Sequence, residues 1–222
     1  MGDSSGVVPS QELRAAVGEI DIYLFDQILR GRFDRRRTVL DAGCGDGRNL
    51  VYLLRGAFTD GFTCYGVDRD PQAIAAVRAL AAGLSPGLSA DLSPTHPLEQ
   101  FQVAAIDDLP FATATMDAVI CSAVLHFADD LPHFERMVTE LWRVLAPGGL
   151  FFARLASNIG IEAAVGAAGR RVRLPDGSDR FIVDQEILLT LTARLGGRLI
   201  DPIKTTNVQQ QRCMTTWCVS KT

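Results

Sequence analysis

The amino-acid sequence predicts an α/β fold, a doubly wound and mostly parallel sheet with helices on both of its faces. Two observations lead to this prediction. From residue 38 to the end of the sequence, apolar strand-like runs alternate with helix-like segments. The first of these runs also passes into a helix start through a turn that contains three glycines. Such alternation is typical of parallel sheets, because each crossover helix lies against one face of the sheet.

The length and composition predict one globular domain. With 222 residues, 47% of them hydrophobic, the chain can bury one substantial core. We expect an amino-terminal helical cap and linker over residues 1–37 and the main domain over residues 38–222. The net charge of −4 disfavours nucleic acid and anionic membranes as partners. No apolar run reaches the roughly 18 to 20 residues needed to span a bilayer, and no secretory signal is recognisable, so we expect a cytoplasmic protein.

The segment ahead of the first strand contains apolar residues at helical spacing. This pattern predicts one or two helices between residues 11 and 31 with a buried stripe. The stripe consists of Ile20, Leu24, Phe25, Ile28 and Leu29. Five arginines follow between residues 30 and 37. A solvated loop or helix end is one interpretation of this basic run, and contact with an anionic substrate or RNA is the other.

The glycine-containing turn follows a short apolar run that ends in Asp41. Gly43, Gly45 and Gly47 then alternate with other residues. Glycine tolerates positive φ and lets a ligand lie against bare backbone. We expect the turn to leave backbone N–H groups uncovered, and the helix start beyond it to favour a carboxylate or a phosphate.

The spacing D-x-G-x-G-x-G resembles the first motif of class I S-adenosylmethionine (SAM)-dependent methyltransferases. It differs from the dinucleotide fingerprint, because Arg48 stands where that fingerprint requires its third glycine. The resemblance implies a Rossmann-like, seven-stranded sheet with an antiparallel carboxyl-terminal strand pair. It also implies that the acidic residue and the glycines hold the methionine part of SAM. The residues placed at this end of the cofactor are Asp41, Gly43, Cys44, Gly45, Arg48 and Asn49.

A second acidic residue strengthens the resemblance. Residues 62–68 form an apolar run that ends in Asp68, 21 positions beyond Gly47. A carboxylate at the end of the second strand can accept hydrogen bonds from both ribose hydroxyls of a nucleoside. Asp68 is therefore the candidate for the ribose, with Arg69 beside it, whereas Asp70 and Pro71 are expected to begin the next helix.

A third strand, predicted over residues 101–105, leads into Ile106 and Asp107. In the resembling family this position forms the adenine pocket. The resemblance implies that Ile106 lies beside the ring and that Asp107 accepts the exocyclic amine. Without the two earlier motifs, a capped turn with solvated carboxylates would be the preferred interpretation.

A fourth strand over residues 116–122 ends in Ser122, which the resemblance places under the sulfonium. His126 follows where the family faces its substrate. An unperturbed histidine has a pKa of about 6.5 and can act as a general base, so His126 is the candidate catalytic residue. A histidine in the pocket wall is the alternative. Asp130 is expected to cap the next helix, and a Pro-Gly-Gly turn precedes a fifth strand over residues 150–154.

The remaining sequence predicts a hairpin and two final strands. Pro175, Asp176 and Gly177 form a strong turn signal, so residues 171–183 are expected to form a small hairpin that could lie over the pocket as a lid. Asp184 is placed to cap the following helix. Residues 198–207 and 212–219 are then expected to form the antiparallel pair. The five cysteines show no ligand spacing and are expected to be buried thiols, with no metal site.

These patterns together predict a SAM-dependent methyltransferase. It would transfer a methyl group by in-line displacement to a small-molecule acceptor and release S-adenosylhomocysteine. The resemblance leaves open the acceptor, the use of a base and the oligomeric state. A noncatalytic SAM-binding sensor or partner subunit is the alternative from another class. An NAD-dependent oxidoreductase is disfavoured by Arg48, and RNA or protein substrates by the acidic balance.

Overall fold

The computed structural model describes residues 10–55, 62–84 and 98–222. The first nine residues of the predicted cap lie outside these ranges. The helices described are α1 (Ser10–Val17), α2 (Ile22–Leu29), α3 (Val51–Leu54), α4 (Pro71–Gly83), α5 (Leu131–Val144), α6 (Glu162–Val165) and α7 (Gln185–Arg194). Two 3₁₀ turns cover Leu98–Gln100 and Leu125–Phe127. The strands described are β1 (Thr38–Ala42), β2 (Thr63–Asp68), β3 (Phe101–Val103), β4 (Met116–Ser122), β5 (Leu145–Ser157), β6 (Arg170–Arg173), β7 (Asp179–Ile182), β8 (Gly197–Leu199), β9 (Lys204–Val208) and β10 (Arg212–Lys221).

The central sheet has the strand order β3-β2-β1-β4-β5-β10-β8, and β9 pairs with β10 beside this path. Strands β1 to β5 pair in parallel, whereas β10 is antiparallel to β5, β8 and β9. The predicted fold class is confirmed. The described sheet has eight strands because the segment expected as a single strand over 198–207 is divided into β8 and β9. Pro202 lies in the gap, and proline cannot donate to a ladder.

Helices cover both faces of the sheet. Val39 of β1 belongs to an apolar core shared with α2, α3 and α4. The next residue, Leu40, belongs to a second core shared with α5 and α7. Successive side chains of a strand point to opposite faces, so each core fills one side of a doubly wound sheet. The strand ends then meet at an edge that neither helix layer covers.

Aspartate caps fix where three helices begin. Asp70 Oδ1 accepts from the N–H of Gln72 at 2.8 Å, Asp130 Oδ1 from that of His133 at 2.7 Å, and Asp184 Oδ1 from that of Ile187 at 2.8 Å. A cap of this type contributes about 1 kcal/mol. The predicted caps are confirmed, and the fourth strand ends at Ser122 as expected.

The predicted amino-terminal stripe is wrong at one position. Leu24 and Ile28 are buried on α2, but Leu29 is 72% exposed. Residues four apart lie on one side of a helix, whereas the residue after Ile28 is turned about 100° away from it. Leu29 therefore lies outside the buried stripe.

The predicted hairpin consists of β6 and β7, which pair antiparallel. Phe181 of β7 stacks on Phe134 of α5 with ring centroids 5.0 Å apart. Arg171 donates through Nη1 to the carbonyls of Phe127 and Ala128, both at 3.1 Å. These contacts attach the hairpin to the 3₁₀ turn that follows β4.

All five cysteines lie within the described ranges, and each is buried and unpaired. None of the helices that the structure describes combines the length and the apolar character needed to cross a membrane. Within the same residues no group of three or more His, Cys, Asp or Glu side chains is arranged to hold a metal ion.

Candidate cofactor crevice

A cavity of about 390 Å³ opens at the carboxyl ends of the parallel strands. It lies where the strand order reverses, with β2 on one side of β1 and β4 on the other. This switch point is where open α/β sheets bind ligands. The lining residues are Gly43, Asp68, Arg69, Ala104, Ala105, Ile106, Asp107, Ser122, Ala123, Val124, Phe127, His133 and Met137.

Six of the predicted cofactor residues are thus brought together in one cavity wall, namely Gly43, Asp68, Arg69, Ile106, Asp107 and Ser122. Six other candidates lie outside that wall, namely Asp41, Cys44, Gly45, Arg48, Asn49 and His126. Of the residues outside the wall, Arg48 is exposed and Gly45 is partly buried. Asp41, Cys44, Asn49 and His126 are buried.

The glycine turn approaches its neighbours closely. A Cβ at Gly43, whose φ is 78°, would lie 2.4 Å from Val124 Cγ2, and one at Gly47 would lie 2.6 Å from Val77 Cγ2. Gly45 also has a positive φ of 54°, but no atom lies within 4 Å of its Cβ position. Close packing therefore requires glycine at positions 43 and 47, whereas at position 45 only the positive φ favours glycine.

The backbone N–H groups of this turn differ from the expectation. Gly43 and Cys44 both donate to the carbonyl of Val67, at 2.8 and 2.9 Å, and Gly47 donates to the carbonyl of Cys44 at 2.9 Å. The N–H of Gly45 donates to Asp68 Oδ2 at 3.0 Å. The helix that follows, α3, has only four residues. The expectation that the turn leaves these four N–H groups uncovered is therefore wrong, because β2 accepts three of them through Val67 and Asp68 and the turn itself accepts the fourth.

Asp41 is fully buried, and neither carboxylate oxygen has a hydrogen-bond partner among the described residues. Burial raises the pKa of Asp41 to about 7, and the negative charge of Asp68 adds to the effect, while the positive charge of Arg48 and the nearby side-chain amide of Asn49 oppose it without a hydrogen bond of normal geometry. Buried carboxylates normally have partners, because an unpaired one costs folding free energy. The arrangement therefore suits a cationic group of a ligand.

Asp68 is held in place at the end of β2. Its Oδ2 accepts from Gly45 and its Oδ1 accepts from the N–H of Asp70, both at 3.0 Å. A carboxylate has about four lone-pair positions, so two remain for hydroxyl groups. This position at the cavity wall suits a ribose.

The far end of the cavity is formed by Ile106 and Asp107, together with a histidine that the sequence analysis missed. His133 Nε2 lies 3.7 Å from Asp107 Oδ2. Its Nδ1 lies 3.1 Å from both the backbone nitrogen and the Oδ2 atom of Asp129. The available signal was the Asp130 cap, which fixes His133 in the first turn of α5.

Ser122 makes a contact that the sequence analysis also missed. Its Oγ donates to Asp21 Oδ2 at 3.0 Å, and Arg154 Nη1 donates to the same oxygen at 3.1 Å. Asp21 caps α2 by accepting from Tyr23 at 2.9 Å, and its own N–H donates to Asn49 Oδ1 at 3.1 Å. The amino-terminal segment is therefore attached to the crevice at the end of β4.

The two remaining candidates are buried in apolar surroundings. Cys44 belongs to the core, and burial with the nearby charges of Asp41 and Asp68 raises its thiol pKa, which fits the packing role. His126 is 5% exposed, and its Nδ1 has no hydrogen-bond partner among the described residues. Burial and the positive charges of Arg180 and Arg154 lower the pKa of His126 to about 3. Its proposed role as a base stays a prediction, in an environment that makes the ring a weak proton acceptor.

The strand order, the glycine turn and the acidic strand ends define the class I SAM-dependent methyltransferases. A sequence model of the family described as "Methyltransferase domain" matches residues 40–153. This match covers more than half of the chain, and the chain belongs to that family. The predicted family is confirmed, and SAM is the cofactor of its class.

Two curated relatives and one solved structure show the range of similarity. The phthiotriol/phenolphthiotriol dimycocerosates methyltransferase of Mycobacterium leprae is 30% identical over 51% of this chain and 35% of its own length. The fatty-acid O-methyltransferase of Mycolicibacterium smegmatis is 30% identical over 52% of this chain and 35% of its own. The chain thus spans little more than a third of the curated relatives that it matches.

The solved structure is 1,6-didemethyltoxoflavin-N1-methyltransferase of Burkholderia thailandensis, with bound 1,6-didemethyltoxoflavin and S-adenosylhomocysteine. It superposes with a TM-score of 0.63 at 18% identity and covers 96% of this chain and 82% of its own. At that identity the likeness concerns the fold alone.

Proposed function

We propose that this chain binds SAM in the crevice and transfers its methyl group to a small-molecule acceptor, releasing S-adenosylhomocysteine. The observation that carries the proposal is the placement of Asp41, Asp68 and Asp107. Asp41 lies near the end of β1, Asp68 ends β2 and Asp107 follows β3, and these three parallel strands are neighbours. Asp68 and Asp107 line the cavity, and Asp41 lies two residues before the lining residue Gly43. A ligand with an ammonium group, a ribose and an amino-substituted base would match these three carboxylates in turn.

The proposed contacts follow the cavity from one end to the other. Asp41 would balance the ammonium group of the cofactor, with Gly43 and Gly45 against its amino-acid end and Cys44, Arg48 and Asn49 supporting the turn. Asp68 would accept the ribose hydroxyls, with Arg69 beside it. Asp107 would accept the exocyclic amine and Ile106 would cover the ring.

The bound sulfonium supplies an electrophilic methyl group. The protein then has to hold the acceptor atom in line with it and exclude water. Ser122 and the backbone after it lie at the cavity wall, and the Asp21 contact keeps that strand end in position. With SAM bound there, a lone pair of the acceptor would form the new bond to the methyl carbon, and the carbon–sulfur electrons would pass to sulfur.

The acceptor cannot be assigned from the relatives, because the two named above act on different compounds. A cytoplasmic location is part of the proposal, supported by five buried and unpaired cysteines, which suit a reducing compartment.

Titration calorimetry with SAM and S-adenosylhomocysteine tests the cofactor site. Wild-type protein is expected to bind both. Asp68→Asn is expected to weaken binding by about ten-fold or more, roughly 1.4 kcal/mol, because the amide offers a single uncharged acceptor oxygen. Asp46→Asn is the matched control, since Asp46 is an exposed carboxylate in the same turn.

The control should bind as the wild type does. Equal affinities of the wild type and Asp68→Asn for SAM would contradict the ribose role of Asp68. If the wild type binds neither compound, the proposed function is wrong. Binding without methyl transfer to any acceptor would instead favour the noncatalytic sensor or partner subunit.

A further inference from the structure

Three nitrogen-bearing side chains lie beside the crevice, next to the end of β4, and have no role in the proposed cofactor site. They are Arg154, Arg180 and His126. Arg154 is the register partner of Ser122 on the neighbouring strand β5. His126 lies in the 3₁₀ turn after β4, and Arg180 comes from the hairpin. Three separate parts of the fold thus bring basic groups against Ser122 and Phe127, which line the cavity.

Arg154 is only partly neutralised by its surroundings. Its Nη1 donates to Asp21 at 3.1 Å, and its guanidinium carbon lies 5.0 Å from the centre of the Tyr23 ring. Its Nε is buried and has no hydrogen-bond partner within the described residues. An unsatisfied buried donor is costly, so this nitrogen is available to a ligand oxygen.

Arg180 carries a positive charge that no carboxylate of the described ranges pairs with inside 4.0 Å. Its guanidinium carbon lies 4.9 Å from the centre of the Phe127 ring, and Phe127 lines the cavity. Its Nη1 donates to the backbone carbonyl of Asp179. The two nearby hairpin carboxylates already pair with other arginines, Asp176 with Arg212 at 3.6 Å and Asp179 with Arg173 at 2.9 Å.

His126 lies within reach of both of these charges. Its ring contacts Phe127 with centroids 4.7 Å apart, and its Nδ1 is buried without a partner in the described part of the chain. Both guanidinium groups are near enough to depress the pKa of its imidazole. The neutral ring can donate one N–H and adds no charge.

The side chains of this region carry a net charge of +1. Arg154 and Arg180 contribute two positive charges and Asp21 contributes one negative charge. A single carboxylate would balance the remainder, and guanidinium groups bind carboxylates through charge-assisted hydrogen bonds.

We propose that the methyl acceptor is a carboxylic acid, bound as its carboxylate by Arg180 and Arg154, and that a carboxylate oxygen receives the methyl group. This inference rests on the proposed function. A lone pair of one carboxylate oxygen attacks the methyl carbon, and the carbon–sulfur bond breaks with its electrons passing to sulfur. The products are a methyl ester and S-adenosylhomocysteine. No proton is transferred, so the step requires no general base.

The first experiment distinguishes the acceptor atom. Protein that binds SAM by calorimetry is incubated with SAM tritiated in its methyl group. One reaction contains mixed aliphatic and aromatic monocarboxylic acids, and a second contains the matched alcohols, amines and thiols. S-Adenosylhomocysteine reports any transfer, and tritiated methanol released by mild alkali reports methyl esters alone.

Base-labile label from the acid mixture supports the inference. Base-stable label, or turnover confined to the second mixture, overturns it and leaves the proposed function intact. Binding of SAM without turnover in either mixture overturns the inference together with the catalytic role. Absence of SAM binding overturns the proposed function itself.

The second experiment uses Arg180→Gln with Arg173→Gln as its matched control, because Arg173 lies in the same hairpin with its side chain 69% exposed. Arg180→Gln is expected to raise the KM for the best carboxylic acid by about ten-fold or more, in line with a hydrogen bond to a charged group, and to leave the Kd for SAM unchanged. Arg180→Lys should restore part of the affinity. An unchanged KM in Arg180→Gln, or an equal rise in both variants, would contradict the role of Arg180.

Discussion

The two sides of the crevice use residues at very different separations along the chain. On the proposed cofactor side, Asp41, Gly45 and Asp68 belong to consecutive elements, and the longest of their contacts spans 23 residues. On the acceptor side, Asp21 bonds to Ser122 and Arg154, which lie 101 and 133 residues further along. The first side follows from strand ends and turn glycines, whereas the second requires the whole sheet to be assembled.

The difference also appears in how carboxylates are satisfied. Asp21 is buried and has three hydrogen-bond donors, from Tyr23, Ser122 and Arg154. Asp41 is buried and has no partner among the described residues. The Asp21 carboxylate is therefore satisfied without a ligand, whereas the Asp41 carboxylate is an uncompensated group that a ligand can stabilise.

The largest effect is expected from Asp41→Asn, which sharpens this contrast. The folded-state pKa of about 7 lies above the ordinary aspartate pKa of 3.8, so the native state binds more protons and loses stability as pH rises from about 4 to 7. The amide variant should be more stable than the wild type at pH 8, by up to about 4 kcal/mol, and nearly equal to it at pH 4. Denaturant unfolding at both pH values measures this.

The same variant should bind SAM at least about ten-fold more weakly, since the amide has no charge for the ammonium group. Stability and affinity would then change in opposite directions. A variant that is less stable than the wild type at pH 8, or that binds SAM unchanged, would contradict the assignment of Asp41.

Removal of the acceptor-side carboxylate should have the opposite effect on stability. Asp21→Ala deletes an α2 cap and leaves Arg154 without its ion-pair partner. We expect a loss of about 2 to 3 kcal/mol, at or below the lower end for a broken buried pair, because the Arg154 side chain keeps 22% exposure. Asp26→Ala is the control, since Asp26 lies on the same helix with its side chain 40% exposed. Equal free energies of unfolding for Asp21→Ala and Asp26→Ala would contradict the structural role assigned to Asp21.

The smallest effect is expected from His126→Asn. Because the pKa of His126 is about 3, the ring is neutral throughout the usual assay range, and turnover should show no inflection near pH 6.5 that depends on this residue. Asparagine keeps a donor, so turnover should fall by only a few-fold. Loss of a general base costs about 100- to 10,000-fold. A loss of that size, with the pH profile altered, would restore His126 as the base.

Local patterns predicted the fold well, because strands and helices here are set by short-range signals. The aspartate caps and the buried strand Met116–Ser122 have the predicted bounds. Leu29 and the division of the segment 198–207 were missed, since helix rotation and Pro202 decide them. The short helix α6 was not predicted.

The site was predictable where a residue follows from its place in the glycine turn or at a strand end, as for Gly43, Asp68 and Asp107. His133 and Asp21 could be recognised as a first-turn residue and a cap, but their contacts with Asp107 and Ser122 depend on packing between distant elements. The hydrogen bonds that take up the N–H groups of Gly43 and Cys44 come from Val67 on the neighbouring strand, which a single-segment pattern cannot reveal. Arg154 and Arg180 lie in different strands, so no sequence pattern indicated that their side chains belong to one site.

The position of β10 has a consequence for synthesis of the chain on the ribosome. This strand is one of the last segments of the sequence, yet it lies inside the sheet between β5 and β8. Chains emerge from the amino terminus, so β1 to β5 can associate and enclose the crevice while the outer edge of β5 still lacks its neighbour. An unpaired strand edge invites pairing with other chains. The nascent protein is thus exposed to aggregation at β5 until Arg212–Lys221 has been translated.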